Sequence, residues 1–451
     1  MARFVDADRD TAYLLPPSVS DWLPQDHLAR FVVEIVDRLD LSEMVGQYAG
    51  RGQAAHHPSV LLGLLIYGYA TGTFSSRKIE RATHDLVAFR FIAANTHPDH
   101  DTLANFRRRF LPRIEALFVQ VLLIAREMNC LKLGNIALDG TKIAANASRD
   151  AALSWKHALK IEVQLRAEVE ALTARAEAAD QTPVGDGLDI PVEIARREQR
   201  LAALEAAKAK IEARAKERFE REQRDYEEKL ARRKARLDAG KKPGCKQPKP
   251  PEPGPCDTDQ VNPTDEDSRI MPRAGGGFDQ SYNAQAAVDT ATMLVVAPHL
   301  TQAPNDKQQI GPALQALASL PEALGTPSHM LADTGYFSAA NVAACEAAQL
   351  EPMIALQRQN HHVQVFERFA ADPSEPDTDD PVRKMAHRLA TKSGRALYGL
   401  RKQTVEPVFG IIKQTMGWRR MSMRGLAQAR GEWALVAMAW NVKRLSVLRP
   451  A

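Results

Sequence analysis

Three acidic residues stand where metal-assisted chemistry on a phosphate could be done. Asp139 lies in L-D-G-T-K and Asp333 in L-A-D-T-G-Y-F, while Glu406 falls in a late helical stretch with Lys413 beyond it. Each aspartate closes an apolar run and precedes a glycine-containing turn. Carboxylates gathered at strand ends and on a nearby helix make a site for hard cations. Mg²⁺ and Mn²⁺ prefer oxygen ligands, stay partly hydrated and share substrate phosphates. Two such ions about 4 Å apart activate a water or a 3′-hydroxyl on one side and stabilise the leaving oxygen on the other. Taken singly, Asp-Gly and Asp-Thr-Gly are also common turn formers. With 56 acidic residues in the chain, the three gain a joint meaning only if the fold brings them together.

The elements that must do so are legible in the apolar spacing. Leu131 to Asp139 alternates like a strand ending on Asp139-Gly140. Tyr282–Val288 and Met293–Pro298 read as a hairpin turning at Asp289–Thr292. Asp306–Leu320 reads as a helix, Ser328–Ala332 as a strand ending at Asp333, Ser338–Ala348 as a helix and Glu351–Ala355 as a strand. Residues 371–380 form an acidic, proline-containing loop, and helices around Tyr398–Met416 and Leu426–Leu445 close the chain. Pro407 directly follows Glu406, which predicts a helix start or kink there.

Residues 20–130 read as helical. An apolar helix (Val60–Ala70), a turn at Gly72 and a basic helix (Arg77–Thr83) have the order of a helix-turn-helix, or of a plain helical hairpin. A third helix is predicted over Thr102–Met128, capped by Asp99 or Asp101. It carries Arg107, Arg108 and Arg109, a solvated face or an anion contact. Residues 156–238 carry a heptad-like stripe (Leu165, Val169, Leu172, then Ile190, Ile194, Leu201, Leu204, Ile211), broken at Thr182–Gly187 and interrupted by Arg197 and Lys208. This predicts an antiparallel helical hairpin or short coiled coil. A basic linker follows, with Lys229, Arg232, Arg233, Lys234, Arg236, Lys241, Lys242, Lys246 and Lys249 ahead of and among a run of prolines.

Composition narrows the function classes. The chain has 451 residues, 44% hydrophobic and 26% charged, enough for several domains and a sizeable core. Four cysteines without a C-x-x-C spacing exclude a disulfide scaffold and a zinc ribbon. His97, His100 and His361-His362 lack zinc spacing and are read as surface residues. The charged opening Met1–Asp8 has no signal-peptide core, and the uncharged stretch 58–76 contains three glycines, so a buried helix rather than a membrane span is expected. A cytoplasmic protein is expected. A net charge of +4 hints only weakly at a polyanionic partner.

Asp139-Gly140-Thr141-Lys142, Ala332-Asp333-Thr334-Gly335-Tyr336 and the stretch Tyr398–Lys413 (Y-G-L-R-K-Q-T-V-E-P-V-F-G-I-I-K) resemble the three signatures of bacterial insertion-sequence transposases of the DDE type. The last stretch is similar to that family's tyrosine-arginine-glutamate-lysine motif, with Tyr398, Arg401 or Lys402, Glu406 and Lys413 in the matching places. N-P-T-D-E-D-S-R (262–269) and F-D-Q-S-Y-N-A-Q-A-A-V-D (278–289) also resemble this group, and the first third resembles an InsH-type N-terminal domain.

The resemblance implies a mixed α/β fold: a ribonuclease-H-like core with an all-helical N-terminal domain and a helical insertion. Residues 1–130 would be the DNA-binding domain, 131–155 the first part of the core, 156–256 the inserted hairpin and linker, and 257–451 the rest of the core. Asp139, Asp333 and Glu406 would hold two Mg²⁺ or Mn²⁺ ions for hydrolysis at a transposon end and strand transfer to target DNA. Tyr398, Arg401, Lys402 and Lys413 would bind phosphates near the scissile bond. Lys402, one helical turn before Glu406, is favoured over Arg401 if the helix is continuous. Trp418, Arg419, Arg420 and Arg424 would stack on or clamp a DNA end, and Arg107, Arg108 and Arg109 would meet phosphates. Double-stranded DNA is the implied partner, a homodimer the implied active form and the nucleoid the implied location. A metal-dependent nuclease without strand transfer and an inactive DNA-binding remnant are the alternatives.

Overall fold

A computed structural model describes residues 18–48, 54–179, 189–240, 247–273, 275–357 and 371–449. The opening Met1–Asp8, the predicted break at Thr182–Gly187, Lys241, Lys242 and Lys246 of the linker, and His361-His362 lie outside them. The chain divides into two compact units. One comprises Met1–Asn146, Met271–Gly275 and Ser281–Ala451; the other comprises Ala147–Ile270 and Gly276–Gln280.

Among the described residues of the first unit, seven helices precede the sheet: α1 (Leu28–Asp37), α2 (Ser42–Gly46), α3 (Pro58–Thr71), α4 (Ser76–Asp85), α5 (Val87–Ile92), α6 (His100–Phe110) and α7 (Ile114–Glu127). Apolar on all sides, α3 is buried along nearly its whole length. It ends at Gly72, whose φ of +85° is the left-handed conformation that a helix C-terminus favours in glycine. Thus the expected helix, glycine turn and basic helix are formed by α3 and α4. The single helix predicted over Thr102–Met128 is instead two. Asp99 caps α6 through the Thr102 amide at 2.7 Å, and the turn Leu111–Arg113 then separates it from α7. Pro112 contributes, because it offers no amide to the carbonyl one turn back.

The sheet of this unit is mixed, in the order β4-β5-β1-β7-β8, with β6 also on β5. Its strands are β1 (Asn135–Ala144), β4 (Arg269–Pro272), β5 (Phe278–Asp289), β6 (Val295–Thr301), β7 (His329–Ala332) and β8 (Glu351–Ile354). Antiparallel pairing joins β1 to β5 and β5 to β6; parallel pairing joins β1 to β7 and β7 to β8. The predicted end of β1 at Asp139 is wrong. The strand runs five residues further because its ladder with β5 continues to Ala144↔Ser281. What stops near Asp139 is only the pairing with β7, at Ala137↔Leu331.

Helices α10 (Ile310–Ala318), α11 (Ala339–Ala347), α12 (Pro381–Ala390), α13 (Lys392–Gly410) and α14 (Leu426–Leu448) complete the unit. The centre of the core is α14, which packs on β6, α3 and α7. Trp433 and Trp440 donate their ring N–H groups to the carbonyls of Gln285 and Met293. The fully buried Glu432 is satisfied by the Tyr69 hydroxyl, the Ser422 amide and hydroxyl and the Met423 amide. These residues are structural, as expected for Trp433 and Trp440.

The second unit holds the predicted hairpin: α8 (Trp155–Ala179) lies along α9 (Ile190–Asp238). Leu165, Leu204 and Ile211 of the stripe are buried. Ala207 and Ile211 pack with Val261, Leu153 and Trp155, residues that include the short pair β2 (Leu153–Ser154) and β3 (Gln260–Val261). The two interruptions of the stripe are ion pairs across the hairpin, Arg197 to Glu168 at 2.7 Å and Lys208 to Glu162 at 2.6 Å.

Candidate active site

Neighbouring strands bring the two aspartates together. Extending the β1–β7 register by two residues from Ala137↔Leu331 sets Asp139 level with Asp333, on strands about 4.8 Å apart. Asp333 follows the last residue of β7 and caps the turn Thr334–Tyr336 by accepting from the Gly335 amide at 2.8 Å. Asp139 accepts from the Gly140 amide, also at 2.8 Å. Burial pushes the Asp139 carboxyl up to about 6; the Gly140 amide and Arg401 oppose this, and the charges of Asp333 and Asp306 add to it.

The third acid arrives on α13, which continues through Pro407. The helix therefore does not start there. Pro407 denies an amide to the carbonyl of Gln403, but Gln403 is exposed and water can serve that carbonyl. The buried face of α13 presents Tyr398, Arg401, Val405 and Val408. Arg401 donates to Asp139 Oδ2 at 3.3 Å and to Glu406 Oε1 at 2.9 Å. Of the two candidates for the arginine place, it is Arg401 that meets the acids. Lys402 does share a turn with Glu406, but it faces solvent, and it is the packing face of the helix that reaches the sheet. Beyond Gly410 the helix widens into a π-turn at Ile411–Thr415. There Lys413 donates to the Thr141 hydroxyl and, at 3.2 Å, to the Lys142 carbonyl, so the last basic residue of the stretch meets the first motif.

A fourth carboxylate sits among these groups. Asp306, in the segment between β6 and α10, accepts from the side-chain amides of Asn283 at 2.7 Å and Gln285 at 2.6 Å, and faces Lys142 at 3.6 Å. Sequence reading placed Asp306 only at a helix start. The available signal was the polar pair Asn283 and Gln285 at alternate positions among Tyr282, Ala284 and Ala286–Val288.

Other predicted contacts are not part of this cluster. Trp418 is corrected: its side chain is 1% exposed and stacks on Trp433 at 5.5 Å, so it is core and offers no face to a base. Arg107 is taken up by the Tyr69 hydroxyl and the Phe74 carbonyl. Arg109 bonds Gln47 and lies over the rings of Tyr48 and Phe110. Arg107 is half-buried, while Arg108 and Arg109 are exposed. Arg419, Arg420 and Arg424 are exposed as well, with Arg419 bonded to the Lys413 carbonyl and Arg424 to the Asn146 carbonyl. His97 stacks on His84 at 3.8 Å, and His100 pairs with Glu80 at 2.9 Å.

Among the described residues no three His, Cys, Asp or Glu side chains converge as a ready set of metal ligands, and Glu406 is turned to Arg401. The donor chemistry nevertheless fits a hard cation. All the acids are oxygen donors, and Asp139 is held close to other carboxylates in a partly desolvated place. No helix among the described residues is long and apolar enough to cross a membrane.

Residues 257–442 match the family model described as Transposase DDE domain, and residues 17–109 match the one described as Transposase domain (DUF772). No curated protein and no solved structure matches the chain.

Proposed function

We propose that this chain, which belongs to the insertion-sequence DDE transposases, binds the inverted repeats at the ends of its element, cleaves DNA there and joins the freed 3′-hydroxyl to target DNA. The observation that carries this reading is the meeting of three separate stretches at one place: Asp139 with Asp333 across β1 and β7, Arg401 between Asp139 and Glu406, and Lys413 on Thr141. A ribonuclease-H-like core is the fold this assigns to the mixed sheet.

Asp139, Asp333 and Glu406 would hold divalent cations, which when bound supply an activated hydroxyl nucleophile and stabilise the leaving oxygen. The other groups act on the DNA. Arg401 is fully charged at any working pH and orients Asp139 and Glu406 from the buried side. Tyr398, half-desolvated beside Arg401, keeps its proton and can donate to a phosphate oxygen. Lys413 presents an ammonium beside Asp139's strand. Arg108, Lys402, Arg419, Arg420 and Arg424 are the exposed cations that fit phosphates further along the duplex. Because two ends react in one event, the active form is a homodimer.

A labelled duplex carrying the flanking inverted repeat, incubated with Mg²⁺ and a target plasmid, tests the reading. End cleavage with products joined to the plasmid supports it. Cleavage without joined products replaces it with a nuclease, and binding without cleavage under any divalent metal replaces it with a DNA-binding protein.

A further inference from the structure

The β1–β5 register sets Asn283 opposite Lys142 and Gln285 opposite Gly140. The two amides therefore lie side by side next to the Asp-Gly-Thr-Lys segment, and both donate to one oxygen of Asp306. Gly140 leaves the room for this: a Cβ there would lie 2.0 Å from Gln285 Nε2 and 2.7 Å from Asp306 Oδ1. Gln285 in turn accepts from the hydroxyl of Tyr336, three residues past Asp333. Asp306 is thus fixed by a network tied to both aspartate strands, and its carboxylate faces the Lys142 ammonium at 3.6 Å.

Lys413 reaches the same strand segment from the π-turn after α13. Lys413 donates to the Lys142 carbonyl at 3.2 Å, both ammonium groups are partly desolvated, and the positive charge of Lys142 makes protonation of Lys413 harder. Two partly desolvated ammonium groups on neighbouring segments suit an anion; without one, Asp306, already taking two amide hydrogen bonds, and the nearby charge of Asp139 are the counter-charges of Lys142. A phosphodiester offers such anionic oxygens.

We propose that Lys142 is a phosphate-binding residue of the cleavage site and that Asp306 is the positioning residue that holds its ammonium for that contact. The inference rests on the transposase reading and adds two residues to it. Before substrate arrives Asp306 is the counter-ion of Lys142; with DNA present it fixes where the ammonium stands.

The experiment measures Lys142→Ala, Asp306→Asn and the double variant of the full chain. Each is tested for single-turnover cleavage in Mg²⁺, and for binding of the same repeat duplex over a salt series in Ca²⁺. Lys142→Ala is expected to slow cleavage by about 10- to 100-fold and to reduce the slope of log affinity against log salt by about 0.9, one phosphate contact. Asp306→Asn keeps an acceptor oxygen but loses the charge. It should slow cleavage at least about 10-fold with duplex affinity unchanged or tighter, and the double variant should be no slower than Lys142→Ala. A purely structural Asp306 would lower affinity and rate together and act equally in both backgrounds, which overturns the positioning role. An unchanged salt slope in Lys142→Ala overturns the phosphate contact, and it reads out even if the wild-type chain never cleaves. Cleavage failure alone therefore counts against the transposase reading and not against this one; a wild-type chain that binds no duplex overturns both.

Discussion

Opposite charges meet in two regions of this molecule, with opposite consequences. In the α8–α9 hairpin, hydrogen bonds from Lys208, from Gln164 and Arg197, and from Arg197 again hold the carboxyls of Glu162, Glu168 and Glu193 below their usual range. Pairing outweighs burial there. Around Asp139 burial outweighs pairing: the carboxyl is raised to about 6 although Arg401 stands 3.3 Å away. The hairpin uses charge to set two helices in register. The cluster at β1, β7 and α13 keeps charge where it is costly, and a fold retains such a place when the charge has something else to act on.

The largest effect that could break this contrast is on activity. Asp333→Asn should reduce end cleavage by more than about 100-fold, while Arg197→Ala in the hairpin should leave the chemical step of a pre-bound end within about threefold of wild type. Equal losses in a single-turnover assay would remove the distinction between the regions.

Next in size is Trp418→Ala, which marks where the site stops. A buried ring stacked on Trp433 should cost about 3–5 kcal/mol of stability in a denaturant titration. Full stability with weakened DNA binding would return Trp418 to the DNA surface. A smaller effect separates the two kinds of carboxyl by sign. A folded-state value raised to about 6 favours the fold below the unfolded value near 3.8, and that contribution is lost as pH rises through 6. Metal-free Asp139→Asn should therefore be more stable than wild type at about pH 7.5, by at most about 3 kcal/mol, with the gain gone below about pH 4. Glu162, lowered by Lys208, should behave oppositely. Its pairing stabilises above its unfolded value and is lost as pH falls through the lowered one, so Glu162→Gln should cost no more than about 1 kcal/mol near neutrality and nothing in acid. Thermal melts of both variants across pH check the pair of signs.

Much of this was legible in residue order. Asp139 and Asp333 each close an apolar run before a glycine, but it was the resemblance of their motifs that singled them out, whereas the hairpin followed from its stripe. Where sequence reading failed, the deciding fact lay in another element. Asp139 is mid-strand because β5, over 130 residues away, continues the ladder. Arg401 rather than Lys402 meets the acids because the sheet, not Glu406, decides which face of α13 is inward. Trp418 carries arginines after it like a DNA clamp, but its ring is buried against Trp433 on α14, which residue order does not show. Asp306 has no motif of its own; only the amides of Asn283 and Gln285, set by strand register, give it a place.

The central claim is that Asp139, Asp333 and Glu406 act as one catalytic set although Glu406, its side chain 50% exposed, is bonded to Arg401 here. The most direct test runs wild type and Glu406→Gln side by side on inverted-repeat DNA in Mg²⁺ and in Mn²⁺. The account predicts nicks at the repeat ends and joined products from wild type alone, with DNA binding retained by both. Cleavage by Glu406→Gln at the wild-type rate would contradict it.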